Sequence, residues 1–290
     1  MEHSAPPTAS LADFLALTKP NIVALILATV AAGFYLGSNG PLAVGTLLHT
    51  LVGSALVAGG SNALNQILER RIDARMRRTR QRPLPAGRLA PGASAVFAWG
   101  LGLVGVAYLL VFTNAIVAAL AAATLVSYVF LYTPLKRHSS LNTLVGAVPG
   151  ALPIVGGWAA ARHDLALVAW ALFGIVFLWQ LPHFLALAWL YREDYARGGL
   201  RMLSVTDGAD ATFRQALLYS VALLPVSLVP SLLGATGPVY FLGAAALALW
   251  LIAATAGVAA DHAPKKARRL FLVTIVYLPA ILVLMVADKA

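Results

Sequence analysis

Residues 60–92 read GSNALNQILERRIDARMRRTRQRPLPAGRLAPG, an apolar stretch that ends in Asn, Gln, Glu and Asp and then meets eight arginines: Arg70, Arg71, Arg75, Arg77, Arg78, Arg80, Arg82 and Arg88. Asn65, Glu69 and Asp73 fall at i, i+4 and i+8. At about 100° per helical residue each step drifts by only about 40°, so the three share one face, with Asn62 between them. Two carboxylates stacked at i, i+4 repel each other unless something positive stands between them. A hard divalent ion such as Mg²⁺ takes carboxylate and amide oxygens and often brings a phosphate with it. The spacing reads as a carboxylate ladder for metal beside an arginine bed for phosphates. The plainer alternative pairs Glu69 and Asp73 with Arg70, Arg71 and Arg77 at a solvated helix end, Asp73 to Arg77 being a favourable i, i+4 pair. Asn65 argues against it, because it lies deeper than the acids on the same face, and polar side chains inside a span default to function.

Three other places carry chemistry. The stretch 191–214 offers Tyr191, Glu193, Asp194 and Tyr195, which suit a helix-end cap or an ion pair with Arg192 or Arg197 as well as they suit a metal. Lys136 and Arg137 are topology signals by default, and phosphate binders if they meet the ladder. His183 stands in FLWQLPHFLALAW, roughly two turns inside a span. Its alternatives are a helix–helix hydrogen bonder, a proton carrier and a haem-iron ligand. No Ser-His-Asp arrangement, P-loop or G-x-G-x-x-G fingerprint is present, which removes the nucleophilic hydrolases and nucleotide-binding domains.

These residues need elements to hold them, and composition says which. Sixty per cent of the 290 residues are hydrophobic and 11% are charged. Apolar runs long enough to cross a bilayer recur along the whole length. We expect an all-α, polytopic membrane protein: a single embedded domain over 1–290, with spans at about 20–37, 44–66, 93–112, 115–133, 143–160, 166–190, 215–233, 238–258 and 270–287 around a central cavity open to the cytoplasmic side. Residues 1–16 read as a loose, weakly amphipathic start. Glu2 and Asp13 without a basic n-region argue against a cleaved signal peptide. The absence of cysteine excludes disulfides, thiolate metal sites and c-type haem attachment. The formal charge of +10 does not point to nucleic acid, because the basic residues sit in short loops between spans. Of the 21 Lys and Arg, only Arg162 and Lys289 fall on the second side. That asymmetry places the N-terminus and the polar loops in the cytoplasm and the C-terminus opposite, in the inner (cytoplasmic) membrane. The ladder follows span two and the Glu193–Asp194 loop follows span six. Two four-helix halves plus one helix would bring those loops together.

At these positions the chain resembles the protohaem IX farnesyltransferases (haem O synthases) of the UbiA-type intramembrane prenyltransferase superfamily. The matching pieces begin with Asn65-x-x-x-Glu69-x-x-x-Asp73 and Met76-x-Arg78-Thr79-x-x-Arg82-Pro83-Leu84-Pro85-x-Gly87-Arg88. They continue with Tyr132-Thr133-Pro134-Leu135-Lys136-Arg137, Asn142, Gly146-x-x-Pro149-Gly150-Ala151, Trp179-x-x-Pro182-His183-Phe184 and Glu193-Asp194-Tyr195, followed by Gly199, Met202 and Leu203. The first block indicates the superfamily; with the Pro-His-Phe block it becomes specific to the haem branch. The chain departs at Glu69, where Asp is commoner, and at Gly198, which leaves Asp194 as the main acid of the second loop.

The resemblance implies farnesyl transfer from farnesyl diphosphate to the 2-vinyl group of haem B, with addition of water, giving haem O and diphosphate. It implies Mg²⁺ held by Asn65, Glu69, Asp73 and Asp194, with Arg78, Arg82, Lys136 and Arg137 on the phosphates. Tyr132 would steady the allylic cation through its ring face, and His183 would contact haem. Membrane lipid surrounds the enzyme, and a haem A synthase or terminal oxidase assembly partner would take the product. A helix continued past Asp73 would put Arg77 on the ladder face, with Arg78 about 100° further round. Either the helix ends near Met76 or Arg78 reaches phosphate from the loop, and we expect the early helix end. The rival classes are a prenyltransferase of aromatic or quinone precursors, a transporter, and a non-catalytic haem-handling protein. The orientation is testable because the chain has no cysteine. In intact cells a membrane-impermeant thiol reagent should label Asn39→Cys and spare Ser139→Cys, and the reverse pattern would overturn the assigned sidedness.

Overall fold

The computed structural model describes residues 9–290. Residues 1–8, which hold Glu2 and half of the expected loose start, lie outside the described residues. The rest of that start is a helix, contrary to expectation. Helix α1 (Leu11–Thr18) opens on a capping box in which Ser10 and Asp13 satisfy each other's backbone N–H groups. Asp13 also accepts from Arg88 Nε at 2.8 Å.

The fold is all-α, with no strand among the described residues. Nine helices there are long and apolar enough to cross a membrane. They are α2 (Pro20–Gly37), α3 (Val44–Asp73), α4 (Pro91–Phe112), α5 (Ala115–Leu135), α6 (Asn142–Arg162), α7 (Leu167–Leu190), α10 (Gly208–Leu232), α11 (Pro238–Asp261) and α12 (Pro264–Ala287). The short α8 (Arg192–Gly198) and α9 (Leu203–Thr206) lie between α7 and α10. Several helices outrun the apolar windows that announced them. Helix α3 continues past residue 66 to Asp73, α10 starts at Gly208 and α12 at Pro264. Hydropathy marks the lipid-crossing part alone, whereas the polar ends keep good helix formers and go on hydrogen bonding. Proline at the first helical position starts α2, α4, α11 and α12, where its missing N–H is harmless.

Helices α2 to α6 close one ring, and α7, α10, α11 and α12 a second. Helices α6 and α7 run between the rings and are the most buried spans. Consecutive spans pack on one another within both rings. Small residues set the closest crossings. A Cβ on Gly157 of α6 would sit 2.0 Å from the carbonyl oxygen of Val30, and one on Gly33 of α2 would sit 2.1 Å from that of Ile154. In lipid, such close backbone contact supplies the packing energy that apolar burial cannot. Buried hydroxyls add bonds between helices: Tyr240 donates to the Ser227 carbonyl at 2.7 Å, and Ser220 meets Thr255 at 3.1 Å. The outward faces of α4 and α11 carry exposed Leu103, Val111 and Leu242, as a lipid-facing surface requires.

Candidate active site

The polar ends of the two rings meet above one cavity. Helix α3 carries Asn65, Glu69 and Asp73, all buried, on one face. Its upstream amides dock α1: Asn62 Nδ2 donates to the Thr18 carbonyl at 3.0 Å, and Gln66 Nε2 to the Leu17 carbonyl at 2.8 Å. Those are carbonyls that the end of α1 leaves unpaired, so amides at i, i+4 complete a helix terminus. The docking holds Lys19 at the α1–α2 corner in the left-handed region, with φ 55° and ψ 66°. Pro20 follows and disfavours right-handed helix there.

Each rung of the ladder faces a cation. Lys19 Nζ donates to Asn65 Oδ1 at 3.2 Å. Lys136 Nζ donates to Glu69 Oε2 at 3.2 Å and stands 2.9 Å from Oε1. Arg82 Nη1 donates to Asp73 Oδ2 at 2.8 Å. Burial, followed by repulsion from Arg82 and Lys136, pushes the Lys19 ammonium down to about 7. Burial also works against the charge on Lys136, yet Glu69 and the neighbouring tyrosines hold it above the ordinary lysine value. The site therefore carries positive charge beyond what its two carboxylates neutralise.

Helix α5 delivers Lys136 and Tyr132 through a π-helical turn over Ser127–Tyr132. Pro134 cannot donate to the carbonyl four residues back and its ring clashes with it, so the helix widens there. Thr133 Oγ1 closes the gap by donating to the Tyr128 carbonyl at 2.8 Å, and accepts from Asn65 Nδ2 at 3.1 Å. Tyr132 lies flat on Gly146, where a Cβ would come within 2.5 Å of its ring. Lys136 Nζ stands 4.6 Å from the centre of that ring.

Helix α3 stops at Asp73, earlier than the expected Met76, and the chain turns away. The i, i+4 pair between Asp73 and Arg77 does not form, because the backbone leaves the helix before Arg77. Asp194 of α8 holds this turn. Its Oδ1 accepts from the Arg77 N–H and its Oδ2 from the Arg78 N–H, both at 3.2 Å, while Arg197 pairs with Oδ1. Burial works to raise the Asp194 carboxyl, but these donors hold it below the usual carboxylate range. Both of its oxygens are thus engaged away from the ladder, and Glu193 is exposed. Among the described residues no three Asp, Glu or His side chains gather closely enough to hold a metal between them. The ladder itself fits a hard cation: it offers two carboxylates and an amide oxygen, although Glu69 Oε1 already has the Lys136 ammonium 2.9 Å away. Arg78 lies over the Tyr191 ring at 5.1 Å. Arg137 is exposed and pairs with none of the ladder acids.

Below the rungs lies an apolar cavity of about 380 Å³, lined from α2, α3, α4, α5, α6, α7 and α12. Asn62 and Tyr132 line it next to the ladder, and His183 lines it from α7. His183 and Asn62, one turn from Asn65, therefore line one space. Lys19 is the site residue that the sequence did not disclose. As a lysine beside a span it reads as a topology charge, and no spacing ties it to Asn65.

The profile of the UbiA prenyltransferase family matches residues 26–278, and the chain belongs to that family. It is an integral, multi-pass membrane protein of the intramembrane prenyltransferase class. Among its relatives is the protoheme IX farnesyltransferase of Solibacter usitatus (strain Ellin6076), 45% identical over 287 residues that cover 96% of this chain and 98% of the other. A digeranylgeranylglyceryl phosphate synthase structure shares the fold with a TM-score of 0.81 at 18% identity, over 96% of this chain and 98% of that one. A UbiA homologue from Archaeoglobus fulgidus, solved with GPP and Mg²⁺, has a TM-score of 0.66 at 14% identity, over 94% and 99% of the two chains.

Asp194 yields a direct test of its role in the turn. Removing an acceptor from two partly buried N–H groups costs at most about 1–3 kcal/mol for each group left unpaired. Asp194→Ala should expose the 74–82 turn to trypsin, with cleavage at Arg77 or Arg78 about tenfold faster or more. Unchanged cleavage would show that Asp194 does not hold this segment.

Proposed function

We propose that this protein transfers the farnesyl group of farnesyl diphosphate to the 2-vinyl group of protohaem IX (haem B), with addition of water, giving haem O and diphosphate. The observation that carries the reading is the three-rung ladder, each rung facing a cation, at the mouth of an apolar cavity. The relatives named protoheme IX farnesyltransferase support the choice of donor and acceptor.

The diphosphate lies among Lys19, Arg82 and Lys136, with Arg78 closing from the loop and Arg137 adding charge at the rim. An anion placed there draws Lys19 fully into its charged form, so the site tightens on the group it must stabilise. Asn65, Glu69 and Asp73 would hold Mg²⁺, and the metal would supply Lewis-acid polarisation of the phosphate oxygens. The Mg²⁺ in the Archaeoglobus fulgidus homologue supports this cofactor. Asp194 serves the site by fixing the turn that returns Arg82 to Asp73, in place of the metal-ligand role that the resemblance implied.

The cations neutralise the leaving group, and the allylic C1–O bond breaks with its electron pair going to diphosphate. The terminal vinyl carbon of haem bonds to farnesyl C1, which leaves a cation on the carbon next to the macrocycle. Water adds there, and its proton leaves with diphosphate. The apolar cavity holds the isoprenoid chain and keeps water from the first cation. Tyr132 presents its ring to that cation, and His183 contacts haem. The ladder faces the cytoplasm, and a haem A synthase or a terminal oxidase takes the product.

The test is a reaction of purified protein in detergent with haem B, farnesyl diphosphate and Mg²⁺, read by mass. Haem should gain a farnesyl group and a hydroxyl, and chelation of the metal should stop the reaction. Asp73→Ala should lower turnover by about a hundredfold or more while the protein still folds. Farnesylation of an aromatic acid with haem untouched would overturn the acceptor, and near-normal turnover by Asp73→Ala would overturn the role of the ladder.

A further inference from the structure

His183 is held by a residue that no sequence pattern singles out. Its Nδ1 lies 2.9 Å from Oγ1 of Thr274, a fully buried residue of α12. Thr274 has one hydroxyl hydrogen and directs it to the Phe271 carbonyl at 2.6 Å. Towards the imidazole it is therefore an acceptor, which assigns the ring hydrogen to Nδ1 and leaves the lone pair on Nε2. Thr274 is itself fixed, because its carbonyl accepts from Trp179 Nε1 at 2.8 Å. The Trp179 and Phe271 rings stack on the imidazole, each with its centroid 5.2 Å away. Nε2 has no protein partner among the described residues. The cavity that His183 lines is the space it faces.

We propose that Thr274 is a positioning residue that holds His183 in the Nδ1–H tautomer, so that Nε2 presents its lone pair to the haem iron. This rests on the haem-contact reading of His183 above. Histidines that ligate metal donate their other ring N–H to an acceptor, which fixes orientation and raises basicity. A purely structural histidine would spend both nitrogens on protein, and this one spends a single nitrogen on a buried, doubly anchored hydroxyl.

The test titrates ferric haem B into purified full-length protein in detergent, without farnesyl diphosphate, and reads affinity and the Soret band. Wild type should show an imidazole-ligated band. His183→Ala should lose it, and added imidazole should restore it. Thr274→Val keeps the shape and removes the acceptor. It should weaken haem binding about tenfold or more and shift the band, whereas Thr274→Ser should retain the wild-type spectrum. Binding of a non-ionising farnesyl thiodiphosphate reports that each variant is folded. Thr274→Val that matches wild type while His183→Ala loses the band would overturn the positioning role alone. The same holds if Thr274→Ser behaves like Thr274→Val. A wild-type spectrum in His183→Ala would overturn the haem contact itself.

Discussion

Two carboxylates and an amide buried at the mouth of an apolar cavity are stable only while positive charge faces them. Breaking a buried ion pair from one side leaves an uncompensated charge in low dielectric, at a cost of about 3–5 kcal/mol. Lys19, Lys136 and Arg82 meet that demand from three separate elements. The rest of the polar end is arranged to bring those three cations to one helix face. Docking of α1 onto Asn62 and Gln66 sets Lys19, the π-helical turn of α5 sets Lys136, and the turn held by Asp194 sets Arg82.

The same charges describe the chemistry. On the proposed reading, a ladder already faced by three cations would receive a group with several negative oxygens and a divalent ion between them. Preorganised charge aimed at a leaving group is worth more here than in water, because the ladder side chains are buried. No protein nucleophile is needed. The two ring assemblies serve this end as well, because they bring the loops after spans two and six together, where Asp194 meets the Arg77 and Arg78 N–H groups. Close crossings at Gly33 and Gly157 hold that geometry without an apolar driving force between the helices.

Much of this was legible in the sequence. Nine apolar runs specified the class, and the i, i+4, i+8 spacing of Asn65, Glu69 and Asp73 marked the buried face that the structure sets against three cations. The phosphate role that the resemblance implies for Arg78 favoured an early helix end near Met76, and the helix stops at Asp73. What the sequence left hidden depends on three-dimensional closure. Lys19 lies 46 residues from its partner, and the corner that aims it exists only once α1 has docked. Asp194 looked like a second metal acid because a carboxylate beside arginines reads alike whether its partners are side chains or backbone N–H groups. Thr274 gave no signal, since a threonine inside a span ordinarily bonds its own helix, and its second contact arises only where α12 packs on α7. The loose start assigned to residues 1–16 failed in its second half for a local reason: a capping box at Ser10 and Asp13 is enough to nucleate a short helix once Arg88 anchors it.

The most direct test of the central claim measures equilibrium binding of farnesyl thiodiphosphate to the purified protein, with and without Mg²⁺. The comparison is between wild type and Glu69→Gln, whose side chain keeps its size and loses its charge. If the ladder binds the metal that binds the diphosphate, Mg²⁺ should tighten wild-type binding by about tenfold or more, and Glu69→Gln should lose most of that gain. Binding that ignores Mg²⁺ in the wild type, or a metal effect that survives intact in Glu69→Gln, would contradict the account.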